Sequence, residues 1–320
     1  MRGERAGIFY NFSDGMFLAP LSALLLTACA ETGEGVPQRN VILMVVDTLR
    51  ADHLSSYGYS RTTSPNLDAF AAANLRFANV RSQAACTSPS VSSLLASKNP
   101  LTLLQQPSGH IGIPKDVPSL AQFLKLADYW TVAISASPIV RKTPSEANRF
   151  GEFDAGFDVF HEECFMSDAR CVNDAALEAL EVMTEPFFLY LHYMDVHGPY
   201  NAGPQFLDSL LDEVEQLPEK RKLTNDQIRR LGYLRELADF HTNPARHERL
   251  SQYREYWEAR YDAGIRQVDF HVGNLRARLE DAGLWDDTLV IVTSDHGEEL
   301  CEHDLWEHTR PPLLSVRNAA

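Results

Sequence analysis

Three stretches of the chain run apolar without a helical period, and each stops abruptly at polar chemistry. They are NVILMVVD from Asn40 to Asp47, FFLYLHYM from Phe187 to Met194, and TLVIVT from Thr288 to Thr293. Short β-branched and aromatic runs of this kind are strands, and apolar residues in unbroken succession mean burial on both faces. The first strand ends in Asp47, the second leads into Asp195-Val196-His197-Gly198-Pro199-Tyr200, and the third leads through Ser294 into Asp295-His296-Gly297. In open α/β sheets functional groups gather just beyond the carboxyl ends of the strands.

The intervening chain alternates helical and extended patterns. Ser64-Pro65-Asn66 opens a helix that keeps Leu67, Phe70, Ala71 and Leu75 in helical spacing. Phe77 to Val80 reads as a short strand. Ser88 is placed as an N-cap with Pro89 as first helical residue, which leaves Thr87 just before a helix N-terminus. Asp116 to Leu126 is an amphipathic helix, Trp130 to Ser135 a strand, Gly156 to His161 a loop reaching another strand, and Asp174 to Met183 a helix. From 206 to 250 the composition turns to Glu, Lys, Arg, Asp and Leu, a charged helical insertion. Tyr253, Trp257, Tyr261, Ile265, Val268, Val272, Leu275 and Leu279 then step by three or four as the packing stripe of one long helix ended by Gly283. Such alternation specifies an α/β fold, with a parallel or mixed sheet covered by helices on both faces.

Composition narrows the function classes. A chain of 320 residues with 44% hydrophobic residues can bury one large core. A net charge of −15 disfavours a polyanion such as nucleic acid as partner. At the N-terminus, Arg2 and Arg5 precede an apolar segment from Phe17 to Ala28, too short to span a bilayer and ending in Leu26-Thr27-Ala28-Cys29. That pattern resembles a bacterial lipoprotein signal. The expectation is a signal segment over 1–29, lipidation and membrane anchoring at Cys29, a tether over 30–39, and export to the cell envelope, in the periplasm or at the cell surface. Cys164 and Cys171 lie close together in a polar loop, where an oxidising compartment would allow them to pair.

Candidate chemistry sits at the strand ends. Asp47, Asp295 and His296 offer two carboxylates and an imidazole, and Thr87 offers a hydroxyl where a helix N-terminus favours an anion. Together they make a mainly oxygen site for a divalent cation with the hydroxyl as nucleophile. Read singly, each has a plainer explanation: a turn acid, a surface imidazole, a capping residue. His192, inside its strand, reads as a satisfied core histidine, whereas His197, in a Gly-Pro turn, faces a cleft.

Read together, the segments are similar to the sulfatase family of the alkaline phosphatase superfamily. NVILMVVDTLRADHLSSYGY, TTSPNLDAF, TSPSVSSLLAS, DVPSLAQFLK, PFFLYLHYMDVHGPY, and YDAGIRQVD through DDTLVIVTSDHGEE to EHDLWEH occur in the family's order over 40–310. The resemblance implies an alkaline phosphatase-like fold, with a large mixed, mostly parallel central sheet and helices on both faces. It implies that Asp47, Asp295 and His296 hold one divalent metal, with Ca, Mg, Mn and Zn all compatible, and that Thr87 is the covalent nucleophile. His197, His303 and His308 are placed near the ester, His197 or His308 protonating the leaving group and His303 holding substrate oxygens, with Arg50 as a further substrate contact. The implied reaction is cleavage of a sulfate ester, or a related phosphate or phosphonate ester, in a small-molecule, glycan or lipid substrate.

Departures from the family pattern open alternatives. Thr87 stands where sulfatases proper carry a cysteine matured to formylglycine, Val91 replaces the arginine of that motif, and Cys86 falls one residue early, as a buried neighbour. Thr48 replaces a frequent second acid and His296 a common asparagine. This set looks more like phosphonate and phosphodiester hydrolases and phosphoglycerol or phosphoethanolamine transferases. Residues 311–320 do not continue as the family does, so the expectation there is an atypical tail and no C-terminal subdomain, with a truncated, non-catalytic binding protein as the remaining alternative.

Overall fold

The computed structural model describes residues 38–104, 112–114, 116–149, 151–214, 254–300, 302 and 308, all within one compact unit. The expectations for the signal segment, Cys29, residues 30–37 of the tether, 215–250 of the insertion, His303 and the tail lie outside the described residues. Among those described, no helix is long and apolar enough to cross a membrane.

Five strands form the sheet. β1 (Asn40–Val46), β2 (Trp130–Ser135), β3 (Val159–His161), β4 (Phe187–Tyr193) and β5 (Thr288–Thr293) lie in the order β3-β2-β4-β1-β5. Every pairing is parallel, so the expected mostly parallel sheet is wholly parallel among the described residues. Between them run α1 (Pro65–Ala73), α2 (Thr87–Ala96), α3 (Pro100–Leu104), α4 (Leu120–Leu126), α5 (Ala169–Leu180), α6 (Pro204–Leu211) and α7 (Arg254–Asp281).

Alternation of side chains along a strand divides the core into two layers. Ile42, Met44 and Val46 of β1 pack toward α5, α6 and α7, while Val41, Leu43 and Val45 pack toward α2 and α4. The register aligns Val46 with Tyr193 and Val45 with Thr293, so the carboxyl ends of β4, β1 and β5 finish level. Asp47, two positions beyond Val45, and Asp295, two beyond Thr293, therefore leave the sheet on the face that α2 covers.

The stripe of α7 is buried from Trp257 through Leu279, and each such side chain removed from water contributes roughly 1.5–3 kcal/mol. Its carboxylates also brace other elements. Asp269 accepts from the backbone N–H groups of Asn66 and Leu67 and so caps α1, whose own N-cap Ser64 makes no capping bond. At Gly264 the helix meets the turn after β4 so closely that an added Cβ would lie 2.4 Å from the Asp195 carbonyl oxygen. Gly283, at φ +70°, turns the chain out of the helix. Cys164 and Cys171 are joined as a disulfide with Cα atoms 5.7 Å apart.

Several boundaries differ from those read in the sequence, for local reasons. α2 begins at Thr87, with Cys86 and not Ser88 at the N-cap position. α4 begins at Leu120 because Ser119 and Gln122 form a reciprocal capping box, and α5 begins at Ala169 because the Asp168 carboxylate accepts from Cys171 N–H. No strand forms over 77–80, where Phe77 is exposed and has no core to bury against. β5 is not buried on both faces: it is the edge of the described sheet, with β1 as its one neighbour, and Leu289 is 39% exposed.

Candidate active site

The turn after β1 has a strained centre. Thr48 sits at φ +60°, a left-handed conformation that is a genuine outlier for a β-branched residue. In that conformation its N–H reaches Asp295 Oδ1 at 3.3 Å, so the residue standing at the family's second acid contributes a backbone donor instead. Tyr261 of α7 braces the same turn, its hydroxyl donating to the Thr48 carbonyl and accepting from Arg50 N–H.

Around this turn the structure brings Asp47, Thr87, Asp295 and His296 together, all buried. Ligand atoms of Asp47, Asp295 and His296 lie within 4.8 Å of one another. Thr87 Oγ stands 3.4 Å from Asp47 Oδ2, to which it donates, and 3.3 Å from His296 Nε2. Asp295 Oδ1 is further engaged by His296 N–H, and Ser90 of α2 donates to the Asp295 carbonyl, tying the helix that carries Thr87 to the end of β5.

The donor set fits a cation. Asp47 Oδ1 and Asp295 Oδ2 are buried without hydrogen-bond partners, and His296 Nε2 lies 3.7 and 3.5 Å from them. His296 Nδ1 meets the Gly297 carbonyl at 2.8 Å; a carbonyl only accepts, so Nδ1 carries a proton and Nε2 is the ring atom turned to the two oxygens. Burial works to raise the Asp47 pKa, but the His192 hydrogen bond and the fields of His197 and His296 hold it well below the usual carboxylate range. Asp295 is raised, by burial first and by the Asp47 charge second. Two buried carboxylates driven apart in this way are relieved by a positive charge between them.

The other sequence-derived residues separate. His197 and His308 pack edge to face with ring centres 5.1 Å apart, and His308 lies 4.4 Å from His296, so both imidazoles flank the cluster. His308 Nδ1 is 2.9 Å from Glu298 Oε1, and burial first, then the neighbouring His197, lowers its pKa to about 4. Arg50 instead braces two loops: it donates Nε and Nη2 to Asp52 and Nη1 to the Glu298 carbonyl, and it is salt-bridged to Glu302. Cys86 is exposed, not buried, its Sγ 3.9 Å from the His308 carbonyl oxygen.

Two further residues touch this cluster, one of them absent from the sequence reading and the other read there as core. Glu298 is buried, bonded to His308 and to the Tyr200 hydroxyl, and its carboxyl is pushed up to about 7 by burial. His192 is indeed a satisfied core histidine, but one of its partners is Asp47 Oδ2 at 3.1 Å. Its odd-even phase along β4 and its position beside β1 were the available signals, and they needed the register to be used.

Known proteins resemble this chain in sequence and in fold. A family model described as Sulfatase matches residues 39–318. Arylsulfatase A of Bos taurus is 25% identical over 282 residues, covering 81% of this chain and 52% of its own length. The chain spans about half the length of such curated relatives. Among solved structures, the phosphonate monoester hydrolase of Agrobacterium radiobacter superposes with a TM-score of 0.65 at 17% identity, covering 88% of this chain and 67% of that one. The C-terminal periplasmic domain of EcEptC from Escherichia coli, in complex with Zn, superposes with a TM-score of 0.57 at 18% identity, covering 90% and 70%. With its ordered motifs, its sheet and the matched length of the family model, the chain belongs to the sulfatase family.

Proposed function

We propose that this chain carries the catalytic centre of an ester hydrolase that transfers a sulfuryl or phosphoryl group to Thr87 and then to water. The observation that supports it most is the juxtaposition of the Thr87 hydroxyl, 3.4 Å from Asp47 Oδ2, with two buried, unpartnered carboxylate oxygens and the His296 ring. Asp47, Asp295 and His296 would hold one divalent cation. When bound, such a cation neutralises charge on the transferring group and lowers the pKa of a hydroxyl beside it.

The chain's own residues account for the rest. Thr87 Oγ, held by its hydrogen bond to Asp47 Oδ2, gives up its proton to water and bonds to sulfur or phosphorus as the bond from that atom to the alcohol oxygen breaks. His197, whose ring packs against His308 beside the cluster, gives that oxygen a proton, while His308, lowered to about 4, is neutral near pH 7 and is left to hold substrate oxygens. Water then attacks the threonyl ester, releasing sulfate or phosphate and restoring the hydroxyl. An alcohol taking the place of water would make the protein a transferase, and product analysis with added glycerol separates the two.

The deciding experiment assays aryl sulfate, phosphate monoester, phosphate diester and phosphonate monoester with wild type and Thr87→Ala. Turnover of at least one ester by wild type, a sulfuryl or phosphoryl adduct on the Thr87 peptide, and loss of both in the variant are the expected results. Undiminished turnover by Thr87→Ala would remove the nucleophile from this reading. Export with a lipid on Cys29 is part of the proposal and is in keeping with the Cys164–Cys171 disulfide, which persists in oxidising compartments. Radiolabelled fatty acid should appear on wild type and be absent from Cys29→Ala.

A further inference from the structure

The face of β4 that points toward α2 carries more than packing. Tyr190 and His192, two residues apart and so on one face, are both fully buried. The Tyr190 hydroxyl is 2.7 Å from His192 Nδ1, and His192 Nε2 is 3.1 Å from Asp47 Oδ2. β4 is held on both sides by β1 and β2, which fixes the backbone that carries both rings.

The proton positions follow by elimination. An ionised Asp47 only accepts, so Nε2 carries a proton; in the tautomer that leaves Nδ1 bare, the Tyr190 hydroxyl satisfies that lone pair by donating. Asp47 Oδ2 thus accepts from His192 on one side and from Thr87 Oγ on the other, while Oδ1 is left unpartnered toward His296. Among the described residues, the hydrogen bonds that distinguish the two Asp47 oxygens are those of His192 and Thr87, both to Oδ2.

We propose that His192 is a positioning residue of the cation centre, with its tautomer set by Tyr190. It orients Asp47 so that one oxygen serves the cation and the other the nucleophile. This rests on the reading of Asp47, Asp295 and His296 as cation ligands. Partners that orient a ligand from behind are worth about 10–100-fold in metal affinity.

The test measures binding of Mn(II) and of Zn(II) to the purified full chain by competition with a chromophoric chelator, alongside thermal unfolding of the metal-free protein. Wild type, His192→Phe, His192→Gln and Tyr190→Phe are compared. The expected result is dissociation constants raised about 10–100-fold in His192→Phe and about 10-fold in Tyr190→Phe, with partial recovery in His192→Gln, which keeps an N–H donor. Should His192→Phe not fold, the other two variants carry the comparison. Lowered metal-free stability with unchanged dissociation constants would reduce His192 to packing and overturn the proposal alone. A wild-type chain that binds neither cation would overturn the ligand assignment and this proposal with it.

Discussion

Asp195 provides a quantitative test of the packing behind the site. It follows β4, is 7% exposed, and uses Oδ1 to accept from Ala169 N–H at 3.0 Å and from Gln267 Nε2 at 2.7 Å, while Oδ2 is buried without a partner. Burial is the dominant influence and outweighs the two hydrogen bonds, pushing the carboxyl from its ordinary 3.8 up to about 6. An acid whose folded pKa lies above its unfolded value binds its proton more tightly when folded. Its contribution to stability is therefore complete below about pH 4 and is lost as the pH rises through about 6. At about 1.4 kcal/mol per pH unit the loss amounts to about 3 kcal/mol.

Asp195→Asn keeps the Oδ1 acceptor and removes the titration, leaving an unpaired amide that costs about 1 kcal/mol. The variant is thus expected to be about 1 kcal/mol less stable than wild type near pH 4 and about 2 kcal/mol more stable above pH 7. Urea unfolding followed by tryptophan fluorescence, with divalent cations chelated, gives the stability of each protein across that range. Taking the difference between the two cancels the other carboxyls. A difference that stays flat with pH, or that slopes the other way, would refute the account of Asp195 as a buried, incompletely paired carboxyl.

Other consequences concern the braces of the site. Gly264→Ala places a methyl 2.4 Å from the Asp195 carbonyl oxygen and should cost about 2 kcal/mol by thermal unfolding; unchanged stability would contradict the close approach of α7. Arg50→Lys cannot reproduce the fork shared among Asp52, Glu302 and the Glu298 carbonyl, so stability should fall by about 2 kcal/mol. An unchanged melting temperature with a raised KM would instead return Arg50 to direct contact with substrate.

The large features of the fold were legible because they rest on local pattern. Unbroken apolar runs identified β1, β4 and β5, and the stripe from Trp257 to Leu279 identified α7. Polar residues directly after such runs pointed to Asp47, Asp295 and His296, which the structure brings together. What was not legible depends on register and on side-chain partners far away in the chain. The role of His192 appears only when β4 is laid beside β1, and Arg50 looks like a substrate contact until Asp52, Glu298 and Glu302 are seen to occupy its guanidinium. Ser-Pro is a strong start signal that puts Thr87 two residues before the first helical position, yet the backbone turns helical at Thr87 itself, with Cys86 in the N-cap position. The 77–80 segment has strand propensity and no surface to pack on, so propensity lost.

The central claim is that the Thr87 hydroxyl and the carboxylates of Asp47 and Asp295 serve one cation. Anomalous diffraction from crystals grown with Mn(II) or Zn(II) tests it most directly. The account predicts a single strong peak at about 2.0–2.2 Å from Asp47 Oδ1, Asp295 Oδ2 and His296 Nε2, with Thr87 Oγ beside it. A protein saturated with the ion whose peak lies elsewhere, with those side chains unligated, would contradict it.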